Sequence, residues 1–139
     1  MRIAVDSSAL AKRYVVEAGS NDVITACSQA TDILVSVLVT PEVLSAFNRL
    51  QREKRITVQR YRALKRRLIG DLAQATLIGV TPSVIGKAVQ CLERHPLRAA
   101  DAVHVATALV SSADLFITFD KRQREVARAM GLSVGPPSL

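Results

Sequence analysis

Residues 32–47, "DILVSVLVTPEVLSAF", change period partway along, and that change decides the fold. Residues 32–37 are rich in β-branched and aliphatic side chains with no alternation of polar residues, the pattern of a strand buried on both faces. Thr40-Pro41 then supplies a helix start, with Thr40 placed to cap and Pro41 suited to the first helical position. The helix is expected to run to about Lys54. An apolar strand feeding directly into a helix is the βα unit of a parallel sheet covered on both sides.

The same alternation extends in both directions. "RIAV" (2–5) reads as a short strand ending at Asp6, followed by helices from about Ser8 to Val16 and Ser20 to Ala30. A helix over about 58–73 carries an apolar stripe of Val58, Tyr61, Leu64, Leu68 and Leu72. "ATLIGV" (75–80) reads as a third strand, and Thr81-Pro82 repeats the cap-plus-proline start. Pro96 is expected to open the helix of "LRAADAVHVATAL" (97–109). "DLFITF" (114–119) makes a fourth strand ending at Asp120, a helix covers about 121–130, and "LSV" (132–134) is a candidate edge strand before the tail "GPPSL". The expected architecture is a three-layer α/β/α sandwich around a central parallel sheet of four to five strands. Right-handed crossovers place every β-to-α junction on one sheet edge, where open sheets bind their ligands.

Length and the absence of repeats or composition shifts point to one domain over residues 1–139. The apolar runs are too short for a membrane span. Asp6 interrupts what would be the apolar core of a signal peptide, so a cytoplasmic location is expected. Cys27 and Cys91 lack metal-ligand spacing and read as buried thiols. The net charge of +7 is concentrated: residues 49–67 hold nine basic side chains and one acid, leaving the remainder at −1. Such a patch suits a polyanion and equally suits a solvated helix face. On the first reading Arg49, Arg52, Arg60 and Arg66 are the candidates to hold the polyanion.

Four acids fall at strand ends or helix starts: Asp6, Glu42, Asp101 and Asp120. Each alone reads as a helix cap or a favourable charge at a helix N-terminus. Together on one edge they would raise one another's pKa unless a cation neutralised them. Oxygen donors without histidine suit a hard ion, Mg²⁺ with Mn²⁺ as a substitute. Such an ion activates water and stabilises charge on a phosphodiester. His104, three residues after Asp101, reads as a buried supporting histidine in preference to a ligand or general base. Ser7 and Ser8 read equally as helix caps or as catalytic hydroxyls. No GxSxG or P-loop run is present, which disfavours serine hydrolase and nucleotide-triphosphate chemistry.

"VDSSAL" (5–10), "TPEVLSAF" (40–47), "LRAADAVHVATAL" (97–109) and "LFITFD" (115–120) resemble, in order, the four acidic motifs of PIN-domain nucleases, nearest in kind to VapC-type toxins. The resemblance spans essentially the whole chain, although the basic window is no part of it. It implies a metal-dependent endoribonuclease, the toxin of a toxin–antitoxin pair, often homodimeric and inhibited by a cognate antitoxin. It also implies that Asp6, Glu42, Asp101 and Asp120 hold the metal, with Ser7 and Thr118 assisting through hydroxyls. The alternatives are a PIN-like RNA-processing nuclease that is not a toxin, a non-catalytic RNA- or partner-binding module, and a phosphoacceptor domain. The last is disfavoured because serines follow Asp6 and the third strand ends without an acid.

Overall fold

The computed structural model describes residues 1–136, so 137–139 of the expected tail lie outside the described residues. Five strands form one parallel sheet: β1 (Arg2–Val5), β2 (Asp32–Ser36), β3 (Thr76–Ile78), β4 (Leu115–Ile117) and β5 (Val134–Gly135). Their order is β3-β2-β1-β4-β5. Helices α1 (Ser7–Ala11), α2 (Ser20–Gln29), α3 (Val39–Arg52) and α4 (Val58–Leu72) connect β1 to β2 to β3. Helices α5 (Pro82–Arg94) and α6 (Ala99–Val110) carry the chain back to β4, and α7 (Lys121–Ala129) leads to β5. Strand order therefore reverses between β1 and β4, which makes the cleft beyond their carboxyl ends the switch point of the sheet.

Side-chain alternation along the strands splits the core in two. Ile3, Val5, Val35 and Ile117 face α1–α4 and pack with Tyr14, Val43, Phe47, Leu64 and Leu68. Ala4, Leu34 and Phe116 face the other way, against Val84, Cys91, Ala102, Val105, Ala106 and Val126. The small residues of α6 let it lie close to β1 and β2, which brings its first turn to the carboxyl edge of the sheet. Cys27 and Cys91 are buried free thiols.

Five expectations need correction. Helix α1 stops at Ala11 instead of Val16. The chain tightens there into i→i+3 bonds (Arg13 N–H to Leu10 O and Tyr14 N–H to Ala11 O, both 3.0 Å), which drops the Tyr14 ring into the core and lets its hydroxyl donate to Asp71 at 2.8 Å. Thr40 does not cap α3. The Ser36 hydroxyl accepts from Leu38 N–H at 3.2 Å, the helix starts at Val39, and Pro41 falls third, where its missing N–H is still no loss. Helix α6 begins at Ala99 with Arg98 in the cap position, so Pro96 lies in the preceding loop. Strand β3 covers only 76–78 of the expected 75–80 and is mostly exposed, because it stands at the sheet edge. The last strand sits at 134–135, where its backbone meets β4. By contrast Thr81 caps α5 as read, its hydroxyl accepting from Val84 N–H, with Pro82 at the helix start.

Phe47 is fully buried and meets Tyr14 edge-on at a 6.0 Å centroid separation, locking α3 to α1 and α4. Phe47→Ala is expected to cost about 3–5 kcal/mol, the range for a large aromatic lost from a packed core. It should appear as a lower urea midpoint at unchanged slope.

Candidate active site

Asp6 follows β1 directly and caps α1, its Oδ1 accepting from Ala9 N–H at 2.8 Å. Its Oδ2 accepts from the Thr118 hydroxyl at 2.7 Å. The residue is 1% exposed. Burial pushes its carboxyl above the usual carboxylate range, the Asp101 charge adds to this, and the bonds from Thr118 and Ala9 and the nearby His104 act in the opposite direction.

Glu42 reaches the same cavity from the first turn of α3. Its Oε1 accepts from the Ser7 hydroxyl at 2.8 Å and from His104 Nε2 at 2.6 Å. The bond from His104 holds the Glu42 carboxyl below its ordinary range, with Ser7 adding to the effect and burial opposing it. With Nε2 donating, Nδ1 of His104 is left buried without a hydrogen-bond partner. His104 is thus a buried side chain (4% exposed) that fixes Glu42, one turn along α6 from Asp101.

Asp101 is held on both sides, by Arg98 Nε at 3.1 Å on Oδ2 and Gln123 Nε2 at 3.0 Å on Oδ1. Asp6, Ser7, Ser8, Glu42, Arg98, Asp101, His104 and Gln123 line one cavity of about 190 Å³. Asp120 is not in it. It lines a neighbouring cavity of about 310 Å³ with Arg98, Asp101, Lys121 and Arg122, and caps α7 by accepting from Gln123 N–H at 2.9 Å. Thr118 joins the two regions, since its hydroxyl also accepts from Asp120 N–H at 3.1 Å.

Arg49, Arg52, Arg60 and Arg66 line neither cavity. They belong to α3 and α4, which are tied by Asn48 Nδ2 donating to the Tyr61 hydroxyl at 2.9 Å. Arg49 is seven residues along α3 from Glu42, about 10 Å of rise, and pairs with Glu53 at 3.0 Å. Two residues at the cavity were not singled out from sequence, Arg98 and Gln123. Arg98 carries the i,i+3 spacing to Asp101 that marks a helix-surface ion pair. Gln123 stands three after Asp120, the capping-box spacing, although its amide turns to Asp101 instead of the cap.

The donor chemistry of Asp6, Glu42 and Asp101 fits a hard divalent cation, because each presents carboxylate oxygens to one polar cavity. Among the described residues no group of three or more His, Cys, Asp or Glu is already spaced as a metal-ligand set. Asp6 and Asp101 accept protein donors on both oxygens, and Glu42 on one.

The PIN-domain family model matches residues 3–129, and the chain belongs to this family. Solved structures of similar fold include a toxin–antitoxin complex from Klebsiella pneumoniae (TM-score 0.70, 16% identity, 97% of each chain covered). FitAcB from Neisseria gonorrhoeae aligns at TM-score 0.72 and 16% identity, again over 97% of each chain. VapC20 from Mycobacterium tuberculosis, described as a toxin that cleaves the sarcin–ricin loop, aligns at TM-score 0.70 and 20% identity over 97% of this chain and 99% of that one. At these identities the likeness is one of fold. No curated protein sequence matches.

Because the folded chain holds the Asp6 proton more tightly than the unfolded chain does, ionised Asp6 costs stability. The cost grows as pH rises from the unfolded value of about 3.9 through the raised folded value, then stays constant. Asp6→Asn keeps a capping acceptor and removes the charge. In EDTA it is expected to melt above the parent at pH 8, the gap closing as pH falls towards 4. A variant melting below the parent at pH 8 would contradict this.

Proposed function

We propose that this chain is a metal-dependent endoribonuclease, working as a single domain and forming the toxin half of a toxin–antitoxin pair. The observation that carries this is the convergence of Asp6, Glu42 and Asp101 in one cavity at the strand-order reversal, with Asp120 beside it. Family membership and the toxin neighbours of like fold support it. Mg²⁺, with Mn²⁺ as a substitute, is the proposed cofactor, and Asp6, Glu42, Asp101 and Asp120 are the residues to hold it. Bound there, it would supply a nucleophilic water and charge stabilisation for a phosphodiester in line displacement.

The chain's own side chains set the stage for that reaction. Asp6 is immobilised in the cavity by the hydrogen bonds from Ala9 N–H and the Thr118 hydroxyl, a longer one from the Ser8 hydroxyl, and burial. Ser7 and His104 aim one oxygen of Glu42 and leave the other without a protein hydrogen bond among the described residues. Arg98 and Gln123 hold Asp101 at the rim. Thr118 orients Asp6 and, through the Asp120 backbone, the start of α7. The arginines of α3 and α4, Arg49, Arg52, Arg60 and Arg66 among them, are proposed to hold more distant RNA backbone. A cognate antitoxin, a homodimeric state and a cytoplasmic location complete the reading. No helix of the described residues is long and apolar enough to cross a membrane.

Purified protein is expected to cleave RNA with Mn²⁺ or Mg²⁺ and to stop in EDTA. Asp101→Asn should lower the rate by about a hundredfold or more, as expected where metal charge stabilisation is worth several kcal/mol. Equal cleavage in all three conditions would overturn metal dependence. RNA binding without cleavage at any metal concentration would favour a non-catalytic module. Growth arrest on expression, relieved by the product of an adjacent small reading frame, would separate a toxin from an RNA-processing enzyme.

A further inference from the structure

The proposed reaction brings one anion, a phosphodiester, against four carboxylates, three in one cavity and Asp120 beside it. The sequence points to the basic window of α3 and α4 for the compensating charge, yet none of those side chains lines either cavity. The cations that do are Arg98, Lys121 and Arg122. Arg98 lines both cavities, and its side chain is 84% exposed although it pairs with Asp101. That pairing uses Nε alone, so among the described residues the two Nη groups have no protein acceptor. Lys121 and Arg122, the first two residues of α7, are exposed and make no ion pair among the described residues. They line the second cavity together with Arg98 and the Asp101 and Asp120 carboxylates.

The two cavities share only Arg98 and Asp101. The first holds three acids; the second holds Asp101 and Asp120 together with three cations, two of which make no ion pair among the described residues. A guanidinium whose edge is occupied and whose fork is open is the donor arrangement that matches a phosphate.

We infer that Arg98, Lys121 and Arg122 form a docking site for an RNA backbone phosphate next to the scissile one, in the cavity adjoining the acids. This rests on the ribonuclease reading above. Arg98 has two tasks: its Nε neutralises Asp101 and its Nη fork receives the phosphate. The strand is thereby held close enough to the acids for its neighbouring phosphodiester to reach them, which the distant arm arginines do not achieve. Nucleic acid is favoured over an acidic protein segment because the cations stand beside the acids that the proposed cleavage uses.

The test is binding of a labelled single-stranded oligoribonucleotide to the full chain in EDTA, followed by fluorescence anisotropy across a salt series. Each single-strand phosphate contact contributes about 0.7 to the slope of log affinity against log salt, which is about fivefold in affinity at 0.1 M. Arg98→Ala is expected to lose about one such contact. Lys121→Ala/Arg122→Ala should lose up to two, and Lys87→Ala/Arg128→Ala, an equal charge loss away from the cavity, should change the slope little. Arg98→Lys should restore the slope while leaving affinity below the parent's, because the fork is gone. Thermal melting of the Arg98, Lys121 and Arg122 variants should match the parent's, as these side chains are exposed. If the parent binds and cleaves RNA but the cavity variants bind as it does, this inference falls and the ribonuclease reading stands. If the parent neither binds nor cleaves, both fall. Dependence on these residues for an oligoglutamate of equal charge but not for RNA also overturns the inference.

Discussion

A carboxylate placed just beyond the central strand of a parallel sheet, almost without solvent, has to be satisfied by its surroundings. Asp6 meets this with a backbone N–H from its own helix and a hydroxyl from β4's end, Thr118. The first ties the acid to α1, the second to the strand across the switch point. Since Ile117 O also accepts from Asp6 N–H at 3.3 Å, backbone and side chain both anchor Asp6 to β4. A shift in the β1–β4 register would strand the charge, so the buried acid specifies the alignment of the two strands between which the site opens.

Thr118 needs an anchor of its own, and Arg124 provides it. This buried guanidinium makes no ion pair with a carboxylate among the described residues; it donates to Thr118 O, Gly135 O and Pro136 O at 2.8–2.9 Å. Thr118 N–H meanwhile donates to Gly135 O at 3.1 Å. A two-residue strand such as β5 has few ladder bonds to hold it, and the arginine clamps it against β4 from α7. A Cβ at Gly135 would fall 2.9 Å from the end of the Ile117 side chain, which would have to shift to admit it. The short last strand thus supports the hydroxyl that holds Asp6.

Charge around the site is layered. Asp6 lies at the floor, Glu42 and Asp101 stand part-way up, each fixed by a partner from another segment, and the cations sit at the rim. Three donors of different kinds, a histidine, an amide and a guanidinium, quiet the acids and orient them. The layering accounts for a cavity rich in acid within a chain of net charge +7.

Local chemistry was readable where one residue and its immediate neighbours suffice. Thr81-Pro82 starts α5 because hydroxyl cap and proline act within one turn. The acids at strand ends were visible because a βα junction is a local event, and parallel topology sends all such junctions to one edge. Thr40-Pro41 misled because Ser36, on the preceding strand, began the turn earlier. β3 came out shorter than its apolar run, because its place at the end of the strand order leaves it exposed and paired on one side only. Arg98 and Gln123 were hidden for a related reason. Their spacings suggested surface pairs and caps, and only α6 lying beside α7 brings Gln123 to Asp101.

The sequence by itself determined the element order, the three layers, the family and the edge on which the acids stand, since these follow from periodicity and from motifs read along the chain. Tertiary structure alone decided which acids share a cavity, which donors hold them, and that the cations beside them come from α6 and α7 instead of the basic window. The physical reason is that hydrogen bonds and charge pairs act over a few ångströms of space, and segments a hundred residues apart become neighbours only after the sheet has closed its order.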